Sequence, residues 1–205
     1  MFVQVIEGRA KDAQRIHDAL DRWDRELADG AIGWLGSTEG VTDDGRFMAV
    51  VRFESEEAAR RNSDRPEQDK WWREMSKLLD GPANFYETSD VDVDINGDPD
   101  QAGFVQIMRG RTSDPDRVRE LMSEDSDEWA KFRPEVLGSV SAQYDDGSYT
   151  MAMYFTSEAE ARKGEKKMNK MPPKLKAEMD EMNSLVIGET DFIDIRDPWL
   201  HSPHQ

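Results

Sequence analysis

The chain has 205 residues, 27 basic and 44 acidic, for a formal net charge of −17 at neutral pH. That balance excludes the phosphate backbone of nucleic acids and anionic membrane surfaces as partners, since both need basic patches. Cysteine is absent, which removes disulfides and thiol chemistry.

The first element, Phe2-Val3-Gln4-Val5-Ile6-Glu7, is apolar and β-branched, and reads as a short buried strand ended by Gly8. Asp12 is placed to cap a helix carrying Ile16, Leu20, Trp23 and Leu27 on one face. Gly30 closes that helix. Residues 32–38 form a second predicted strand. Asp43-Asp44-Gly45 is a hairpin turn signal, and residues 46–54 a third strand. Ser55 starts a second helix, broken at Asp64-Arg65-Pro66 and resumed through Trp71, Trp72, Met75, Leu78 and Leu79. Residues 85–93 are the fourth predicted strand. The order is βαββαβ, the ferredoxin-like pattern.

Asn96-Gly97-Asp98-Pro99-Asp100 interrupts any regular element. The pattern then starts again. Phe104-Val105-Gln106-Ile107 lies 102 positions after Phe2-Val3-Gln4-Val5. The same displacement relates Leu35-Gly36-Ser37 to Leu137-Gly138-Ser139 and Asp43-Asp44-Gly45 to Asp145-Asp146-Gly147. Phe53 and Phe155, then Ala59-Arg60 and Ala161-Arg162, continue it. Trp71, Met75 and Leu78 fit Leu175, Met179 and Met182 at a displacement of 104, and Glu87-Thr88 and Glu189-Thr190 return the register to 102. A repeat of this length makes two versions of one small domain. Asp114-Pro115 starts its first helix, Ser157 with Glu160 forms a capping box, Pro172-Pro173 restarts the second helix, and residues 187–195 are its last strand. The expected division is 1–95 for the first repeat, 96–102 for a linker, 103–197 for the second repeat and 198–205 for a tail whose Trp199 docks back on the body.

Val50-Val51-Arg52-Phe53-Glu54-Ser55-Glu56-Glu57-Ala58, followed by a break and a tryptophan-bearing helix, resembles the antibiotic biosynthesis monooxygenase family. The second half resembles it at Met153-Tyr154-Phe155-Thr156-Ser157-Glu158-Ala159-Glu160-Ala161. The resemblance implies an α+β fold in which two ferredoxin-like βαββαβ repeats form an intramolecular dimeric α+β barrel. It also implies kinship with cofactor-free monooxygenases of quinol-like aromatics and with haem-degrading enzymes. The haem-degrading branch carries a histidine late in the second helix. Neither second helix here has one, so haem ligation by that route is not expected, and with no phosphate-binding glycine loop in the chain no other cofactor is expected.

Several residues have both a bland and a functional reading. Gln4 and Gln106 are amides inside apolar strands, either ligand-holding groups or amides satisfied within the fold. Arg52 and Tyr154 occupy one position in the two copies. Arginine would hold an anionic ligand and tyrosine would donate a proton, or each snorkels at a strand end. Trp71 and Trp72 are adjacent on a helix, so one packs and the other flanks the core, lines a pocket mouth or meets another subunit. Met168, Met171, Met179 and Met182 suit a core or an adaptable pocket. Asp90, Asp92 and Asp94 read as an acidic strand face that protects an edge. His17, His201 and His204 are too dispersed for a metal site. With no basic segment leading into an apolar run, and no run near the ~20 residues of a membrane span, the expectation is a cytoplasmic protein. Two functions stay open: a protein that binds a small apolar or aromatic ligand, and a cofactor-independent monooxygenase acting on a quinol-like or polycyclic aromatic. The asymmetry between the halves favours a site in the first. Homodimerisation is left open.

Overall fold

The computed structural model describes residues 1–203, so His204 lies outside the described residues. The chain divides into two compact units. Unit 1 is Met1–Val91 with the segment from Asp197 onward, and unit 2 is Asp92–Arg196.

In unit 1, β1 (Phe2–Arg9) leads to α1 (Ala13–Leu27), then β2 (Trp34–Val41), β3 (Arg46–Phe53), α2 (Glu56–Ser63), α3 (Pro66–Met75) and β4 (Asn84–Thr88). Asp12 accepts from the Arg15 N–H and Ser55 from the Ala58 N–H, so both predicted N-caps form. Pro66 opens α3, which is why the second helix is broken there. In unit 2 the order is β6 (Phe104–Arg111), α4 (Pro115–Ser123), α5 (Ser126–Phe132), β7 (Val136–Gln143), β8 (Ser148–Phe155), α6 (Glu158–Lys167), α7 (Pro173–Leu185) and β9 (Asp191–Ile195). Asp125 adopts φ 52° and separates α4 from α5, a break that the apolar spacing does not predict.

Two strands remain, and they change the topology. β5 (Val91–Ile95) and β10 (Trp199–His201) each complete a five-stranded sheet, in the orders β10-β2-β3-β1-β4 and β5-β7-β8-β6-β9. The four-strand core of each sheet has the ferredoxin-like order. The fifth strand of each follows the other repeat in sequence. The fourth predicted strand therefore needs correction. Residues 85–93 are not one strand: the Asp90 N–H bonds to Thr88 Oγ1 in a turn, and the chain leaves one sheet for the other. The segment read as a linker is also structured, with the N–H groups of Asn96 and Gly97 bonding to the Leu137 carbonyl and a 3₁₀ turn at Pro99–Gln101. The last strand is shorter than expected, and the ladders pair Val3 with Thr88 but Val105 with Ile195. Equivalent residues there are 107 positions apart, so the Glu-Thr match at 102 is not a structural one.

Alternation along the strands gives each sheet two faces. Phe2, Gln4 and Ile6 share a face with Ala49, Val51 and Phe53. The apolar members of this face pack against α1, with Ile16 fully buried and Trp23 close to it. Val3, Val5, Met48 and Val50, on the other face, are buried as completely. Burial on both faces is what the continuous apolar runs demand.

One glycine pair explains the repeated Leu-Gly-Ser. Gly36 (φ 124°) and Gly138 (φ 159°) follow a register shift in β2 and β7. A Cβ on Gly36 would lie 2.8 Å from the His201 carbonyl oxygen, and one on Gly138 would lie 2.5 Å from that of Asp94. Both glycines let the fifth strand approach. Gly36→Ala and Gly138→Ala are each expected to destabilise the protein by about 1–3 kcal/mol through backbone strain and loss of strand docking. Urea unfolding midpoints of the two variants measure this.

Candidate functional site

Unit 1 contains a cavity of about 260 Å³ between the helix-facing side of its sheet and helices α1 and α3. That volume lies just below the range of about 300–1,000 Å³ usual for small-molecule pockets. Its walls are rich in aromatic rings. Trp34, Trp23, Trp71, Trp72 and Phe85 line it and form one chain of ring contacts. Trp23 meets Trp34 edge-on at 5.0 Å and Trp71 at 6.4 Å. Trp71 and Trp72 are 6.2 Å apart, and Trp72 meets Phe85 edge-on at 5.3 Å. The chain starts on β2, crosses α1 and α3 and ends on β4. Such pairs add about 0.5–1.5 kcal/mol each beyond area burial.

The indole N–H groups differ in their partners. Trp23 Nε1 donates to Gln68 Oε1 at 2.5 Å, and Trp71 Nε1 to the Ala19 carbonyl at 2.9 Å. Trp34 Nε1 is buried and has no partner among the described residues. A buried unpaired donor costs about 1–3 kcal/mol.

The polar end is built by Ser37 and Glu39 of β2, with β10 paired alongside. β10 pairs with β2, setting Trp199 opposite Glu39 and His201 opposite Ser37. Trp199 stacks on His17 of α1 at 4.5 Å, with rings 5° from parallel. His201 Nδ1 lies 3.1 Å from Glu39 Oε2 and its Nε2 lies 3.3 Å from Asp21 Oδ1. Glu39 is only 4% exposed and lines the cavity beside Ser37. Burial works against the imidazolium, but hydrogen bonds to Glu39 and Asp21, with the charges of Glu39 and Asp24, outweigh it and push the His201 pKa up to about 9. Both ring nitrogens therefore carry protons at neutral pH and donate.

The residues singled out from sequence separate into two groups. Gln4, Trp71 and Trp72 line the cavity. The Gln4 amide is also paired within the sheet, Nε2 donating to Glu87 Oε1 at 2.5 Å. Arg52 does not join them. It alternates with Val51 and Phe53, so it points to the opposite face of the sheet, where its Nε is buried without a partner among the described residues. Gln106 and Tyr154 belong to unit 2, where Gln106 Nε2 donates to Asp194 Oδ1 at 2.9 Å and Tyr154 is 1% exposed on the face away from the helices. The site residues that the sequence reading passed over are Trp34, Glu39 and His201. A histidine six residues after the last repeat strand, in a tail with a second aromatic anchor, was the available signal for the last. Among the described residues no group of three or more His, Cys, Asp or Glu side chains could hold a metal ion. No described helix is long and apolar enough to cross a membrane.

No family model matches the sequence, and no curated protein does. Solved structures match the fold along its whole length. A candidate monooxygenase from Lactobacillus acidophilus NCFM aligns with a TM-score of 0.76 at 11% identity, over 98% of this chain and 95% of that one. One from Fusobacterium nucleatum gives 0.73 at 10% identity, over 98% and 94%. An anthrone oxidase-like protein gives 0.64 at 9% identity, over 98% and 92%. The chain shares the fold of these proteins over its whole length, with a ferredoxin-like unit in each half. At these identities the likeness speaks to fold alone, and chemistry must come from the site.

His201 gives the site a pH signature. Its folded pKa is raised above the ordinary value of 6.5. The stabilisation is therefore fully present below about pH 6.5 and is lost as pH rises through about 9. Linkage sets an upper limit of about 3 kcal/mol, and solvent screening reduces this to about 1–2 kcal/mol. The stability difference between the parent and His201→Gln, measured by urea unfolding, is expected to shrink by that amount from pH 6 to pH 9.5.

Proposed function

We propose that the protein binds a small flat aromatic molecule in the unit 1 cavity. The observation that carries this reading is the chain of five aromatic rings lining one cavity whose wall includes an unpartnered buried indole N–H. Edge-on and tilted ring surfaces offer apolar faces to a planar body. The free N–H of Trp34 favours an oxygen at one edge of it, because a ligand oxygen there would recover a hydrogen bond that the protein lacks. Gln4 stands at the cavity wall with its amide already oriented by Glu87.

A second reading is cofactor-independent oxygenation of a quinol-like or polycyclic aromatic. Two observations favour it: a buried carboxylate, Glu39, in the cavity wall, and the shared fold with an anthrone oxidase-like protein. Such a reaction needs a water-poor cavity, a group to take a substrate proton and donors for the resulting anion. Oxygen uptake in the presence of an anthrone would separate this reading from simple binding.

Binding is tested by quenching of tryptophan fluorescence with anthraquinone- and naphthalene-type compounds. Saturable 1:1 quenching is expected in the parent. Trp72→Ala should weaken it about tenfold or more, the scale of losing one aromatic anchor. Met179→Ala, in unit 2, should leave it unchanged. Equal weakening in both variants, or weakening only in Met179→Ala, would place the site elsewhere.

A further inference from the structure

The lining of the unit 1 cavity contains two carboxylates, Glu39 and Asp69, and no lysine or arginine. Glu39 is the more deeply buried of the two, on the central part of β2. A carboxylate carries about four acceptor sites, and the bond from His201 Nδ1 engages one oxygen, Oε2. The indole of Trp34, five residues earlier on β2, is a buried donor without a partner among the described residues. A buried acceptor carboxylate and a lining rich in aromatic rings match a neutral ring hydroxyl, which gives a hydrogen bond. They do not match a carboxylate-bearing ligand, which would set a second negative charge beside Glu39 in a low-dielectric site.

Building on the reading of this cavity as an aromatic-ligand site, we propose that Glu39 is its specificity residue: it accepts the hydrogen bond of a neutral ring hydroxyl and rejects anionic aromatics, with His201 of β10 as the positioning residue that holds its carboxylate. His201 acts from a defined setting. Glu39 of β2 faces it on one side, and Asp21, Asp24 and His17 of α1 on the other. Its charge offsets the buried carboxylate, and its backbone is tied to β2 by the ladder that Gly36 admits. The C-terminal strand is thereby part of the ligand site.

The test uses the full chain at pH 7 and three probes that share one ring system: 2-naphthol, 2-methoxynaphthalene and 2-naphthoate. In the parent, naphthol should bind about tenfold or more tightly than either of the others, the range for a hydrogen bond to a charged group. Glu39→Gln should bring naphthoate up to the affinity of the methyl ether while Trp72→Ala weakens all three probes together. For His201 the readout is a pH profile with the two probes whose charge is constant from pH 6 to 10. Naphthoate affinity relative to the methyl ether should fall as pH rises through about 9 in the parent, and stay flat in His201→Gln. Circular dichroism confirms that each variant is folded. If the probes bind and Trp72→Ala weakens them, but Glu39→Gln leaves their order unchanged, the role of Glu39 is overturned and the cavity reading survives. If no probe binds, or Trp72→Ala changes nothing, the cavity reading falls and takes this inference with it. Tighter binding of a naphthylammonium cation than of naphthol would also overturn it, because the carboxylate would then be selecting charge and not a neutral hydroxyl.

Discussion

The docking of β10 on β2 is the constraint from which the site in unit 1 follows. β2 would otherwise be a sheet edge, with a row of unpaired backbone groups and a buried glutamate beside it. Gly36 has no side chain to fend off the incoming carbonyl of His201, so the strand can close on β2. Once closed, it delivers two rings. Trp199 covers His17, and His201 enters between Glu39 and Asp21. A glutamate that is 4% exposed is costly in isolation. With the His201 imidazole against it, one of its oxygens is held by a hydrogen bond and the group becomes an acceptor in the cavity wall. Backbone geometry at one glycine therefore sets the electrostatics of the pocket.

Most of the architecture could be read from the sequence because its signals are local. Asp12, Ser55, Asp114 and Ser157 each cap a helix by accepting from an N–H three residues on, an arrangement contained within a few positions. Alternation along Val50-Val51-Arg52-Phe53 places Arg52 on the face of Val50, and the ladder has it so. What could not be read is which sheet a strand joins. β5 and β10 are short, lie close to their parent repeat in sequence, and pair with strands of the other repeat. Nothing in Val91-Asp92-Val93-Asp94 distinguishes a continuation of β4 from a new edge partner, because strand pairing is a non-local choice. The site had the same limit. Trp71 and Trp72 were visible as paired aromatics, but Glu39 gains its meaning only from His201, 162 positions away.

The two repeats have diverged where the cavity lies. Position for position, Trp34 corresponds to Val136 and Glu39 to Ser141, both in equivalent places on the ladder. Unit 2 handles its helix-facing side differently. Arg133 pairs with Glu135 and lies 6.0 Å over the ring of Phe155, while Arg162 pairs with Asp194 and lies 5.2 Å over Phe104. Guanidinium groups thus cover aromatic faces in the second repeat, where in the first the rings face a cavity. Trp129 donates to Glu178 at 2.9 Å, so that indole is also satisfied. The orphan donor of Trp34 belongs to a residue in the wall of the unit 1 cavity.

This topology also orders the events by which the site can form. The ladder of β1, β3 and β4 joins residues within the first 88 positions and closes loops of ordinary length. The contact between Glu39 and His201 closes a loop of 162 residues. Loop entropy grows only with the logarithm of length, so the distance itself adds little to the cost. The larger effect is on timing, since contacts of high sequence separation form late. Until β10 docks, Glu39 has no imidazole beside it, and burying a carboxyl group without a partner is unfavourable. Hydration of the open β2 edge then competes with closure of the cavity. An aromatic pocket with a defined acceptor is therefore a property of the completed chain, and the first repeat by itself lacks the group that makes its own glutamate usable.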